Sequence, residues 1–209
     1  MLQSPSLRPE AVYDELRSLI VDQSYAPGTS ITESAVALRF GVARPTAKMA
    51  IERLVTEGLL RRELHQSARV PQLDAADIVD LFDNRAVIES AAVAALEAVP
   101  VDAMTAHRAL LASNGDFAHH DIAFHRALVA GQPSPRLARM HALLMGEIEL
   151  CIGQVQAAHL LTAAEIGAQH QGILDAITAG DAAEASRLTT EHIAGSRDRL
   201  LSHQRNHHG

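Results

Sequence analysis

A glycine at position 41, set between a short apolar helix pattern and a second pattern that opens with cations, constrains this chain more than any other feature. Thr32 is placed to cap a brief helix carrying Val36, Leu38 and Phe40, and Gly41 is free to take the positive φ that a turn between crossed helices requires. The next helix has its apolar residues at Ala47, Ala50, Ile51, Leu54 and Val55, which leaves Arg44, Lys48 and Arg53 off the packed side. Ahead of both, from Pro9, apolar residues at Val12, Leu16, Leu19 and Ile20 predict a first helix, ended by Ala26-Pro27-Gly28. Gly58 stops the third helix, and Leu59 to Leu64 with Ala68 to Val70 read as two short strands around a tip at His65-Gln66-Ser67. Three helices and a hairpin make a winged helix-turn-helix, the arrangement that lays a cation-bearing helix in a DNA groove. A helix pair joined by a glycine turn also occurs in helical domains that bind nothing, so the order of the parts carries the weight.

From Pro71 the pattern changes to helices alone, which divides the chain into residues 1–72 and 73–209. Asp74-Ala-Ala-Asp77 opens a long helix with Leu81, Phe82, Ile88, Ala92 and Leu96 on one face, halted by Pro100. A short helix over 103–111 is broken at Ser113-Asn-Gly-Asp116, the next runs to Gly131, and Pro133 and Pro135 separate it from a helix through Gln156. Thr162-Ala-Ala-Glu165 and Asp181-Ala-Ala-Glu184 are capping-box patterns opening the last two helices, and Gly180 ends the first of them. The fold class expected is mainly α, a winged helix-turn-helix followed by a six-helix antiparallel bundle. The tail from His203 to His208 reads as frayed.

Charge divides as the pattern does. Residues 1–70 hold nine Lys and Arg against eight Asp and Glu, whereas the rest of the chain holds nine against seventeen. The first part, near neutral, suits contact with phosphates through a few placed cations and a dimer, while the second, at about −8, does not. A single cysteine, Cys151, excludes an internal disulfide, and no run of eighteen apolar residues occurs. A cytoplasmic protein with no membrane association is expected.

The polar residues on the inward faces of the bundle carry the chemistry. Asp121 and His125 lie one turn apart on the side continued by Phe117 and Leu128. His170 lies four residues after Ile166 and four before Leu174, and His192 lies four after Leu188. For any one histidine, an internally hydrogen-bonded core residue is the better reading. One carboxylate and three imidazoles buried from three helices are costly together unless something binds them, and a divalent transition metal (zinc, nickel, manganese or iron) takes such ligands. Arg85 shares its stripe with Leu81, Phe82, Ile88 and Glu89, where it either forks onto a ligand carboxylate or pairs internally with Glu89. Glu147 and Glu149 fall on different faces of their helix and are pocket groups or surface.

The order of parts in the first domain resembles the winged helix of GntR-family bacterial transcription regulators. The match rests on Pro27-Gly28, Gly41-Val42, Arg44, Ala50, Leu54 and Glu57-Gly58-Leu59. Ala43 stands where that family has a capping Ser, Pro45-Thr46 reverses a Thr-Pro order, Lys48-Met49 replace Arg-Glu, and Ser67 replaces a wing glycine. The bundle resembles the FCD ligand-sensing domain of the FadR-type subfamily through Asp121-Ile-Ala-Phe-His125, the stretch from His170 through Ile173-Leu174 to Gly180-Asp181, and His192, with Gln169 in place of a Glu. That resemblance implies a metal held by Asp121, His125, His170 and His192, and an effector pocket in which Arg85 of the family's Arg-x-x-x-Glu takes part.

Together these observations predict a homodimeric repressor that binds an inverted-repeat operator in double-stranded DNA and responds to a small carboxylate effector at the metal. Arg44 and Lys48 are expected at base edges or phosphate, Thr46 at phosphate, and His65 with Gln66 in the minor groove. Two rivals remain, a metal-dependent helical enzyme and a non-sensing structural DNA-binding dimer. The enzyme lacks a distinct general base and any Gly-x-Ser-x-Gly, phosphate-loop or His-Glu-x-x-His pattern.

Overall fold

The computed structural model describes residues 9–207, which divide into two compact units meeting between Leu73 and Asp74. The first contains α1 (Pro9–Val21), β1 (Ser30–Ile31), α2 (Glu33–Phe40), α3 (Arg44–Thr56) and β2 (Ala68–Arg69). Its core is Val12, Leu16 and Ile20 of α1 with Val36, Ala47, Ile51 and Leu54, closed beneath by Leu59 and Leu60. Tyr13 is also buried, with its hydroxyl on Glu57, and the Arg53 guanidinium lies 3.6 Å from the ring centroid while its Nε donates to Glu57 at 2.9 Å. Arg53 is thereby held against its own domain.

The turn forms as its residues require. Thr32 accepts a hydrogen bond from the Ala35 amide, and Gly41 ends α2 in the left-handed conformation at φ 64°. Ala43 then opens α3 with no side-chain cap, and Pro45 compensates in part because the first turn has no partner for the amide it lacks.

Three local expectations are corrected. Leu38 of α2 is 86% exposed, so Val36 alone among its expected apolar set is buried. The hairpin reduces to one bridge between Arg61 and Arg69, and β2 pairs antiparallel with β1, Ser30 against Arg69 and Ile31 against Ala68. Strand pairing is set by partners distant in sequence, which local alternation does not report. α1 ends at Val21 rather than at the Ala26-Pro27-Gly28 turn.

The second unit is a helical bundle of α4 (Ala75–Ala94), α5 (Val101–Leu111), α6 (Ala118–Gly131), α7 (Pro135–Ala157), α8 (Ala163–Thr178) and α9 (Ala182–His207). Capping boxes open α4 at Asp74 and α8 at Thr162, and Asp181 accepts from the Glu184 amide to start α9. α4 packs mainly on α9, α5 on α6, and α8 on α9, around Val93, Ala103, Phe124, Leu128, Ile173, Leu174 and Ile177. The expected frayed tail is corrected, because α9 continues as helix through His203 to His207; the last of the six histidine-rich positions, His208, lies outside the described residues.

Ala43→Ser supplies the hydroxyl that the first turn of α3 lacks. It should raise the stability of the protein by about 1 kcal/mol in denaturant unfolding; an unchanged midpoint would mean that the α3 amides are already satisfied.

Candidate metal centre and nucleic-acid surface

Asp121 and His125 enter the centre from α6, His170 from α8 and His192 from α9, each from the apolar stripe of its helix. All four are buried, and one ligand atom from each lies within 4.8 Å of the others. Asp121 Oδ1 stands 3.2 Å from His170 Nε2 and 3.8 Å from both His125 Nε2 and His192 Nε2. The Nε2 atoms of His125 and His192 are 3.0 Å apart.

The far sides of two rings decide what those atoms carry. His125 Nδ1 is 2.6 Å from Glu89 Oε2, a separation that is favourable only with a proton between them. His192 Nδ1 donates to Gln169 Oε1 at 2.7 Å. When both rings are neutral their Nε2 lone pairs face each other at 3.0 Å beside a carboxylate, an arrangement that a cation between them satisfies. Ligands about 2.1 Å from one ion lie roughly 3.0 to 3.4 Å apart when adjacent, which the 3.0 and 3.2 Å separations match and the two at 3.8 Å exceed by a few tenths of an ångström, and the donor types suit a divalent transition metal.

The electrostatics agree. Burial pushes the His170 imidazole down from its ordinary 6.5 to about 4, and burial with the neighbouring His170 and His125 rings drives His192 well below its usual range. Burial opposes ionisation of Asp121, yet the hydrogen bond with His170 and the facing imidazoles hold its carboxyl well below the usual carboxylate range. Neutral imidazoles and an ionised carboxylate are the forms that ligate. The His170 ring stacks on Phe124 with centroids 3.8 Å apart, which fixes its plane.

Beside this cluster, Arg85 Nε donates to Glu89 Oε1 at 2.8 Å, and His141 Nε2 approaches the same oxygen at 2.8 Å. Burial again opposes the charge of Glu89, but Arg85 and His125 hold it well below the ordinary range. The Nη1 and Nη2 groups of Arg85 are buried with no hydrogen-bond partner. The internal pair with Glu89 is present through Nε, while Nη1 and Nη2 are left without a protein partner.

Glu89 as the partner of His125, and buried His141 and His107, escaped the sequence reading. The signal was present: His107 shares a stripe with Ala103, Ala106 and Leu110, and His141 with Met145 and Ile148, the same spacing that singled out His170. Of Glu147 and Glu149, the latter is buried.

In the first unit, Arg44 and Lys48 are exposed on α3, and Thr46 between them is half-buried. His65 and Gln66 are exposed in the turn where the Gln66 amide bonds to Glu63 O, His65 having φ 62°. Gln66 Nε2 donates to Glu63 Oε2 at 2.7 Å.

Residues 9–70 match the family described as bacterial regulatory proteins, gntR family, and residues 80–195 match the FCD domain. The chain belongs to the GntR family. It is similar to the HTH-type transcriptional repressor NanR of Cronobacter sakazakii, 27% identical across 88% of this chain and 82% of that protein. It is also similar to a protein of Paenarthrobacter nicotinovorans named "Probable D-xylose utilization operon transcriptional repressor", 28% identical across 91% of this chain and 89% of that one. A solved structure of a GntR transcriptional regulator from Rhodococcus sp. RHA1 shares the fold, with a TM-score of 0.74 at 24% identity over 93% of this chain and 98% of that one. This GntR-family protein is therefore a DNA-binding transcription regulator and not an enzyme, which disposes of the metalloenzyme alternative. Among its described residues no helix is long and apolar enough to cross a membrane.

The shifted imidazoles have a consequence in acid. An unfolded-state histidine takes up a proton below about 6.5, whereas His170 in the folded chain does so only near 4. Protons then favour the unfolded state, so the chelator-treated protein should lose stability as pH falls from about 6.5 toward 4. His170→Phe, which keeps the stack on Phe124, should flatten that part of the melting-temperature profile; an unaltered slope would remove His170 as its source.

Proposed function

We propose that this GntR-family protein is a repressor of the FadR type that binds an inverted-repeat operator as a homodimer and releases or tightens on it when a small carboxylate effector binds the helical domain. Asp121, His125, His170 and His192 hold a divalent transition metal, which when bound offers an open coordination position to an effector carboxylate. Arg85 receives the ligand's far end through its unpartnered Nη1 and Nη2. The observation that carries this reading is the pair of Nε2 atoms of His125 and His192, 3.0 Å apart with both tautomers fixed from behind. The repressor names of the relatives support the direction of control. Residues 1–72 form the reading domain and 73–209 the sensing and dimerisation domain, working in the cytoplasm where the operator lies.

Exposed Arg44 and Lys48 contact base edges or phosphates, Thr46 a phosphate, and His65 with Gln66 the minor groove. A near-neutral domain makes few phosphate contacts, so tight binding needs two copies. Arg44→Ala and Lys48→Ala should each weaken operator binding at physiological salt with the fold intact. Full affinity in both variants would remove α3 from the recognition surface.

The purified protein should carry about one divalent transition ion per chain, and His125→Ala should lose it and melt earlier. Arg85→Gln keeps a donor for Glu89 while removing the fork, so it should retain the metal and lose the response of DNA affinity to a panel of small carboxylates. In the parent, operator and effector should alter one another's affinity by the same factor, typically about 5- to 150-fold. A parent with metal but no carboxylate response would be a non-sensing dimer, and an Arg85→Gln variant that responds normally would return Arg85 to a structural partner of Glu89.

A further inference from the structure

Two of the three histidines in the centre have an oxygen close to their remote nitrogen, Glu89 Oε2 at 2.6 Å from His125 Nδ1 and Gln169 Oε1 at 2.7 Å from His192 Nδ1. The third does not: His170 Nδ1 is buried with no hydrogen-bond partner. With Nε2 turned to Asp121, His170 carries its proton on Nδ1 when it serves as a ligand, and a buried donor without an acceptor is costly.

An acceptor stands beside it. His107 of α5 is 3% exposed, its ring centroid is 6.2 Å from that of His170, and its own Nδ1 is likewise buried without a partner. The tautomer of His107 follows from a chain of bonds running outward along α8. Asp175 accepts only, so Gln171 turns its amide NH2 to Asp175 Oδ1, at 2.7 Å. That leaves Gln171 Oε1 facing His107 Nε2 at 3.2 Å, where His107 must donate. A neutral His107 that donates from Nε2 keeps a lone pair on Nδ1. The two rings lie with centroids 6.2 Å apart and planes tilted by 51°, each with a buried Nδ1 that no protein group satisfies, one a donor and the other an acceptor that a single water can join.

Building on the metal reading above, we propose that His107 is a positioning residue for the metal ligand His170, accepting through one bridging water the hydrogen bond from His170 Nδ1, with Gln171 and Asp175 fixing the His107 tautomer from the surface. Each imidazole of the centre then has its remote nitrogen held: one by a carboxylate, one by an amide and one by a second imidazole. The hydrogen bonds run from exposed Asp175 inward to the ligand, so a change at the surface of α8 reaches the metal without touching its ligands.

The probe is zinc alone, its affinity measured by competition with a chelator on the full-length protein. His107→Phe keeps a ring against Phe124 and His170 while removing the acceptor. It should weaken zinc binding about ten- to a hundredfold. Gln171→Leu, at an exposed position, frees the His107 tautomer without touching the core and should weaken zinc in the same direction, with the melting temperature of the chelator-treated form unchanged. A packing role for His107 would not respond to that second change, so Gln171→Leu binding zinc as tightly as the parent overturns the proposal whatever His107→Phe does. Nitrogen NMR of the zinc-loaded parent should find His107 protonated on Nε2, and the opposite tautomer also overturns it. A parent that binds no zinc would overturn the metal reading itself, which separates the two failures.

Discussion

The helical domain is organised around a buried carboxylate, Asp121, that is 1% exposed and has three imidazole Nε2 atoms within 3.8 Å. An ionised group in a low-dielectric interior is tolerated only when neighbours repay its lost hydration. Here the neighbours come from α6, α8 and α9, so the cluster ties together helices that the apolar core alone would hold less specifically. The second buried charge pair, Arg85 with Glu89, adds α4 to the same set, and His141 adds α7. Breaking one partner of such a network strands the others, which makes this region the most sensitive part of the bundle to substitution.

Tautomer choice follows from that network. Glu89 and Gln169 set oxygens against Nδ1 of His125 and His192, and the Nε2 atoms of the two rings converge. Gln169 occupies a position where the resembling motif has a glutamate, yet its amide oxygen accepts the same kind of bond without adding a charge. The proposed sensing chemistry depends on this preorganisation, since ligands held from behind need little rearrangement when an ion or a carboxylate arrives.

The reading domain is built on different terms. It is small, and its surviving strand pairing is two residues deep, so its shape rests on the packing of Leu16, Ile20, Ile51 and Leu54 and on the turn at Gly41. Arg53 shows that a cation on the exposed side of α3 is not automatically offered to DNA, because Tyr13 and Glu57 hold it, whereas Arg44 and Lys48 stand at the start of the helix in solvent.

Helix positions, their caps at Thr32, Asp74, Thr162 and Asp181, the left-handed turn at Gly41 and the inward stripe of Asp121, His125, His170 and His192 were determined by the sequence itself, because each depends on residues within one or two helical turns. Whatever depends on distant partners was decided by the tertiary structure. β2 pairs with β1 across the helix-turn-helix rather than within a hairpin, Leu38 points to solvent, and the histidine-rich tail continues α9. The same holds inside the centre. Periodicity turned His170 inward, but only the packing of α5 against α8 brought the His107 ring within 6.2 Å of it, and only the meeting of α4, α6 and α7 gave Glu89 both His125 and His141, since a spacing along one helix carries no information about which helix lies opposite.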